Sequence, residues 1–243
     1  MVQRLTILIM IIFLSACGGE KKPASGATAS TQDATTSDDA QTAPASAPAP
    51  RTALEPSIET PLDDPSIADK PKAVISTSMG DITVVLYPED APKSVENFIS
   101  YVEGRQYTRT IFHRVIPGFM IQGGGFSSFL EQRKTRDPIP YEGDNGLNND
   151  RGTLAMARTQ NPNSATAQWY INLEDNAFLN HGARRPDEPG YTVFGRVIAG
   201  MNIVDAISLV ETSDQFAGNG QPLQNVPVDP VVIDKVQVLE RGE

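Results

Sequence analysis

Two runs rich in β-branched residues open the part of the chain that reads as folded. Lys72 to Ser78 and Asp81 to Tyr87 form two strands around Met79-Gly80, with Val74, Ile75, Ile82, Val84, Val85 and Leu86 giving them β character. The spacing then changes. Asp90-Ala91-Pro92 opens a helix with a capping-type Asp and a Pro in the first turn. Val95, Phe98, Ile99 and Val102 recur at helical spacing and Gly104 ends the run, so this is an amphipathic helix laid on a sheet. Short strands follow, separated by Gly, Pro and Asn: Thr110 to Ile116, Phe119 to Gln122, Thr153 to Ala157, Gln168 to Leu173, Thr192 to Val197 and Val231 to Leu239. Met201 to Leu209, after Gly200, is a second helix. Many short strands with few helices make a mainly β fold, either a closed barrel or a sandwich. The pattern does not choose between the two.

Upstream the pattern is different. Arg4 is followed by an apolar run, Leu5 to Leu14, broken only by Thr6, and then by Ser15, Ala16 and Cys17. A positive start, an apolar run of about 10 residues and small residues at its end read as a secretory signal. The run is short for a membrane span, which needs about 20 apolar residues. Leu14-Ser15-Ala16-Cys17 resembles a bacterial lipobox, which implies an acylated Cys17 as the first mature residue. Gly18 stands where an inner-membrane retention signal would have Asp. In a cell with two membranes, the resemblance therefore points to the outer one, facing the periplasm. From Gly18 to about Lys70 there is no aromatic residue, and Ala, Ser, Thr and Pro dominate. Such a segment buries too little apolar surface to offset its ordering entropy. The division expected is 1–17 signal, 18–70 disordered tether and 71–243 folded domain. A flexible tether of about 50 residues has a root-mean-square span of roughly 40 Å.

Composition narrows the chemistry. The formal charge is -10, which argues against nucleic acid as a partner. Cys17 is the only cysteine, so a disulfide framework within the chain and multi-cysteine metal sites are excluded. The histidines, His113 and His181, are too few for a His-rich metal centre. Nine Phe, six Tyr and one Trp supply the bulk for a single core. No metal or cofactor is expected.

One string is long and irregular enough to be specific: Phe112-His113-Arg114-Val115-Ile116-Pro117-Gly118-Phe119-Met120-Ile121-Gln122-Gly123-Gly124. Gly152 to Ala157, Ser164 to Ile171 and Val193-Phe194-Gly195 follow it in order. Together they resemble the cyclophilins from about Lys72 to Leu239, and Asp144-Asn145-Gly146-Leu147 and Met156-Ala157-Arg158-Thr159 resemble the periplasmic bacterial branch. The resemblance implies an eight-stranded closed antiparallel barrel capped by two helices and a peptidyl-prolyl cis-trans isomerase activity. It implies Arg114 as the catalytic residue and Phe119, Met120, Phe178, Leu179 and Tyr191 around a proline pocket. Gln122, Ala157, Arg158, Gln168 and Tyr170 would shape the groove for the flanking peptide. The partners implied are Pro-containing unfolded or nascent exported polypeptides, and a monomer is expected. Tyr170 stands where the family often has Phe, Phe178 where it often has Trp, and Tyr191 where eukaryotic members commonly have His.

The residue types suit that chemistry. Rotation about an X-Pro amide breaks no covalent bond, so it needs an apolar grip and a donor rather than a nucleophile. An odd-numbered loop centred on Gly118 would set Arg114 opposite Gln122, which could orient its guanidinium. Alone, Arg114 reads as a surface charge and Phe119, Met120 and Phe178 as ordinary core; the surrounding motif reverses that reading for Arg114. His113 reads as a structural histidine, and Gly123-Gly124-Gly125 lacks the Gly-Lys-Ser/Thr of a phosphate loop. The rival function is a module that holds Pro-containing segments without turnover.

Overall fold

A computed structural model of the chain describes residues 56–61 and 64–239. Cys17, the signal segment and most of the tether lie outside the described residues. β1 (Lys72–Thr77) and β2 (Gly80–Leu86) form the expected hairpin, with Ile75 opposite Ile82 and Thr77 opposite Gly80. The Thr77 hydroxyl donates to the Gly80 carbonyl at 2.7 Å and accepts from the Met79 N–H at 3.1 Å, closing the two-residue turn.

Helix α1 (Pro92–Glu103) buries Val95, Phe98, Tyr101 and Val102. Asp90 does not cap it. The cap position is Ala91, with no side-chain bond. The unpaired N–H groups of Lys93 and Ser94 instead donate to the two carboxylate oxygens of Glu142, each at 2.8 Å, and the Ser94 hydroxyl donates to the same carboxylate. A carboxylate at a helix N-terminus satisfies orphan donors and complements the helix dipole.

The remaining strands are β3 (Thr110–Ile111), β4 (Arg114–Ile116), β5 (Met120–Gly123), β6 (Thr153–Met156), β7 (Trp169–Asn172) and β8 (Val193–Ala199). Helix α2 (Met201–Ser208), β9 (Thr212–Phe216), β10 (Pro222–Pro227) and β11 (Val232–Leu239) follow among the described residues. The main sheet runs β3-β11-β1-β2-β8-β6-β7-β5-β4, and every pair is antiparallel.

The closed eight-stranded barrel is therefore corrected to a curled nine-stranded sheet whose ladder is open. Its two terminal strands, β3 and β4, are separated by only Phe112 and His113. Phe112 N–H donates to the Val231 carbonyl and His113 N–H to the Gln122 carbonyl. The stretch expected as one strand changes partner between these residues, and no ladder joins its halves. The two helices are as expected: α1 packs on β11, and α2 on β2, β4 and β5.

Alternation along the strands separates two faces. Val115, Ile121, Leu154, Met156, Trp169 and Ile171 point into one core, shared with Phe98 of α1 and Ile203, Val204 and Ile207 of α2. Trp169 is fully buried there, edge-on to Phe112 at 5.8 Å and Tyr107 at 6.1 Å. The intervening residues of β4, β5 and β7 face the other way, and that face carries the site.

Two features lie outside the sequence reading. The β9–β10 hairpin pairs separately from the main sheet and packs Leu223, Val226 and Ala217 on Ile111 and Phe126. In addition, the packed region begins before residue 70. Ile58 bridges Ala199, and Ile67 is buried against Val85 and Ile198. The Gly200, Met201 and Asn202 N–H groups donate respectively to the Ser57 carbonyl, Glu59 Oε1 and Ser57 Oγ, so this segment caps α2.

Candidate active site

The β4–β5 connection is the three-residue loop Pro117-Gly118-Phe119, with Ile116 opposite Met120. Gly118 takes φ +68, a region L side chains disfavour, and a Cβ there would meet nothing; the backbone alone demands glycine. The odd loop sets Arg114 opposite Gln122, and the register continues from Gln122 to Tyr170 and from Tyr170 to Ala155. Four adjacent strands thus present one row of side chains.

The row floors an open cavity of about 550 Å³. Arg114, Phe119, Met120, Gln122, Ala157, Arg158, Gln168, Tyr170, Leu179 and Tyr191 all line it. Phe178 does not. It is 53% exposed and stacks on Phe119, with ring centroids 5.6 Å apart, so it extends the wall of the cavity from outside. Sequence reasoning missed the far end, where Phe126, Gln132 and residues 221–224 complete the lining.

The cavity has an apolar and a polar end. Met120, Tyr170 and Leu179 are buried in one small cluster, with Phe119, Ala157 and Tyr191 packed against it. At the other end the Gln122 amide donates to Gln168 Oε1 at 2.8 Å. The proposed bond between Arg114 and Gln122 is therefore not formed: the two residues are ladder neighbours, but the amide is committed to Gln168. Among the described residues nothing hydrogen-bonds or ion-pairs with the Arg114 guanidinium. Arg158 is the opposite case. Its guanidinium donates to the carbonyls of Gly190 at 2.9 Å, Thr159 at 2.8 Å and Pro189 at 2.6 Å, and lies 4.4 Å from the centre of the Tyr191 ring. Arg158 is committed to the cavity wall, whereas the Arg114 donors are uncommitted among the described residues. No Asp or Glu lines the cavity, so the free guanidinium is not neutralised from within it.

Behind the apolar end lies a network of asparagines that the sequence did not disclose. Fully buried Asn149 accepts from the Tyr170 hydroxyl at 2.8 Å and donates to the Leu179 and Tyr191 carbonyls at 3.3 and 3.4 Å. Asn172 donates to Asn149 at 3.4 Å, and Asn176 donates to Asn172 at 2.8 Å and to the Phe119 carbonyl at 2.9 Å. Four lining residues, Phe119, Tyr170, Leu179 and Tyr191, are tied to one buried polar cluster. Burial pushes the Tyr170 phenol well up, so its hydroxyl stays protonated and donates.

His113 is 4% exposed, and burial lowers its pKa from 6.5 to about 4, with the Arg114 charge a smaller contribution. It is neutral at pH 7, its ring lies 4.7 Å from Phe126, and Nδ1 has no partner among the described residues. It supports the floor beside Arg114.

Comparisons with known proteins identify the family. The family described as cyclophilin type peptidyl-prolyl cis-trans isomerase/CLD matches residues 72–238. A peptidyl-prolyl cis-trans isomerase of Streptomyces antibioticus is 53% identical over 165 residues, covering 68% of this chain and 96% of that protein. Peptidyl-prolyl cis-trans isomerase B of Escherichia coli is 49% identical over 164 residues, covering 68% and 97%. A crystal structure of a Cryptosporidium parvum cyclophilin-type isomerase, determined in the presence of the dipeptide Ala-Pro, superposes with a TM-score of 0.56 at 26% identity, covering 70% of this chain and 99% of that one. With the family model spanning the described domain and relatives near half identity matched almost end to end, this chain belongs to the cyclophilin family of peptidyl-prolyl cis-trans isomerases.

Proposed function

We propose that Arg114 is the catalytic donor of this isomerase and that the cluster around Met120, Tyr170 and Leu179 grips the proline ring. The barrier to amide rotation is about 18–20 kcal/mol, and uncatalysed X-Pro exchange takes tens to hundreds of seconds, roughly. An acceleration of about ten-thousand-fold lowers that barrier by roughly 5 kcal/mol, at 1.36 kcal/mol per tenfold. As the amide twists, its nitrogen lone pair leaves conjugation and becomes a hydrogen-bond acceptor. A guanidinium stays charged and is weakly hydrated, so a donor aimed at that nitrogen stabilises the twisted state more than the planar one. The observation that carries this reading is the contrast between the two arginines of the cavity. Arg158 is bonded to three carbonyls, whereas Arg114, lining the same cavity as the apolar cluster, has no partner among the described residues. A proline-switch assay on a short peptide, comparing wild type with Arg114→Ala, tests it.

The cellular setting is part of the same proposal. Cys17 is acylated, the segment after it tethers the domain to the outer membrane on the periplasmic side, and the domain acts as a monomer on exported polypeptides containing proline. The support is the Leu5–Leu14 run, the Leu14-Ser15-Ala16-Cys17 string and the Ala/Ser/Thr/Pro composition that follows. Labelling with a radioactive fatty acid tests the anchor: label on the wild type and none on Cys17→Ser supports it, and an unlabelled wild type refutes it.

A further inference from the structure

The phenylalanines divide in an informative way. Phe98, Phe112, Phe126 and Phe194 are buried, and Phe119 is half-buried in the cavity wall. Three others are exposed: Phe129 at 83%, Phe178 at 53% and Phe216 at 72%. Each of the three flanks the cavity. Phe178 stacks on Phe119. Phe216, at the end of β9, pairs directly with Pro222, which lines the cavity. Phe129 lies in the turn between Phe126 and Gln132, two lining residues that bridge one another.

The turns carrying Phe129 and Phe216 are fixed to each other. Gly218 N–H donates to the Leu130 carbonyl at 3.0 Å, and Ala217 N–H to the Gln221 carbonyl at 2.8 Å. The Phe129 turn is itself closed by Ser127 N–H to the Glu131 carbonyl and Leu130 N–H to the Ser127 carbonyl, both at 2.9 Å. Leu130 takes φ +57, unusual for a leucine, and packs inward on the cluster that includes Phe126 and Leu223. The turn thus packs the half-buried Leu130 against that cluster and presents Phe129 to solvent. Two exposed phenylalanines, each carried next to lining residues and on segments bonded to one another, place apolar side chains at the rim of the cavity.

We infer that Phe129 and Phe216 form an accessory ledge that binds an apolar side chain of the substrate a few residues from the target proline. This deepens, and rests on, the reading of the cavity as the isomerase groove. Gln221 and Gln224, on the lining between the ledge and Arg114, offer amide donors and acceptors to the backbone of the intervening residues. The occupant is therefore an extended, unfolded polypeptide rather than an isolated X-Pro unit, and the preferred substrates carry an aromatic or aliphatic residue outside the immediate X-Pro neighbourhood.

The double variant Phe129→Ser/Phe216→Ser tests the ledge. Three peptides are used: a tetrapeptide with a central X-Pro, and two twelve-residue peptides with the same centre that carry either Phe or Ser four residues to each side. The ledge predicts that wild type has a KM at least fivefold lower for the Phe peptide than for the Ser peptide. The double variant loses that difference and keeps its tetrapeptide kcat/KM within twofold of wild type. Equal KM values for the two long peptides on wild type overturn the inference, whatever the variant does. A variant that still discriminates between them overturns it too, as does wild type that self-associates through these residues while the variant is monomeric. Failure of the underlying isomerase reading is distinct, because it shows as no catalysis of the tetrapeptide by wild type.

Discussion

The Gln122 amide donates to Gln168 Oε1 at 2.8 Å, across the β5–β7 ladder. That bond turns the amide away from Arg114, which faces Gln122 from the other side. Replacing Gln122 by Glu would set a carboxylate opposite the guanidinium and pair it internally. The expected result is a loss of at least about tenfold in kcat, because a charge-assisted pair withdraws the donor from the amide nitrogen. Gln122→Ala, which offers no acceptor, should lose only a few-fold. The same peptide assay measures both, and equal activity of the two variants would mean that the freedom of Arg114 is not limiting.

Tyr170 offers a test of the asparagine network. Its ring lines the cavity while its hydroxyl bonds to buried Asn149. Tyr170→Phe removes the bond and keeps the ring, and should destabilise the domain by about 1 kcal/mol. Asn149→Ala should cost more, about 2–3 kcal/mol, because it leaves a buried hydroxyl and the Leu179 and Tyr191 carbonyls without that partner. Urea unfolding measures both; a Tyr170→Phe domain more stable than wild type would contradict the ranking.

His113 predicts a pH dependence. Its folded pKa is depressed to about 4, against about 6.5 for an exposed histidine. Between these values the unfolded chain binds more protons than the folded one, so stability falls as pH drops from about 6.5 towards 4, by about 3 kcal/mol at most. Above that window His113 contributes no slope. Urea midpoints at pH 7 and pH 4.5 should differ less in His113→Gln than in wild type, and identical slopes would refute the assignment.

Glu142 caps α1 from a loop remote in sequence. Glu142→Ala should lower stability by about 1–2 kcal/mol through loss of the cap. Its effect on kcat/KM for a short peptide should stay within twofold, since Glu142 does not line the cavity. Thermal unfolding and the peptide assay together separate the two effects.

What could be read from the sequence was local. The helical spacing of Val95, Phe98 and Val102 and the odd loop around Gly118 each depend on a few consecutive residues, and both appear in the structure. What could not be read depends on distant partners. The partner switch between Phe112 and His113, which leaves the ladder open, is decided by Val231 on one side and Gln122 on the other. Thr212–Phe216 is mostly polar, and it reads as a strand only once Leu223 and Val226 have Ile111 and Phe126 to pack on. Residues 57–70 look like tether by composition. Among the described ones, Ile67 is held by Val85 and Ile198, and Ser57 and Glu59 by the unpaired N–H groups at the start of α2. Likewise, an amide in the Asn148-Asn149 pair resembles any loop residue until Tyr170 is placed beside it.

The central claim is that an unpartnered guanidinium at position 114 drives rotation by bonding the twisted amide. The most direct measurement is kcat and KM for Arg114→Lys and Arg114→Ala on a short X-Pro peptide, followed in a proline-switch assay. Loss of a donor that acts mainly in the transition state should reduce kcat by about a hundredfold or more in the alanine variant, with KM within a few-fold of wild type. Lysine, which lacks the planar fork, should recover only part of the rate. An alanine variant with wild-type kcat, or one whose defect lies entirely in KM, would contradict the account.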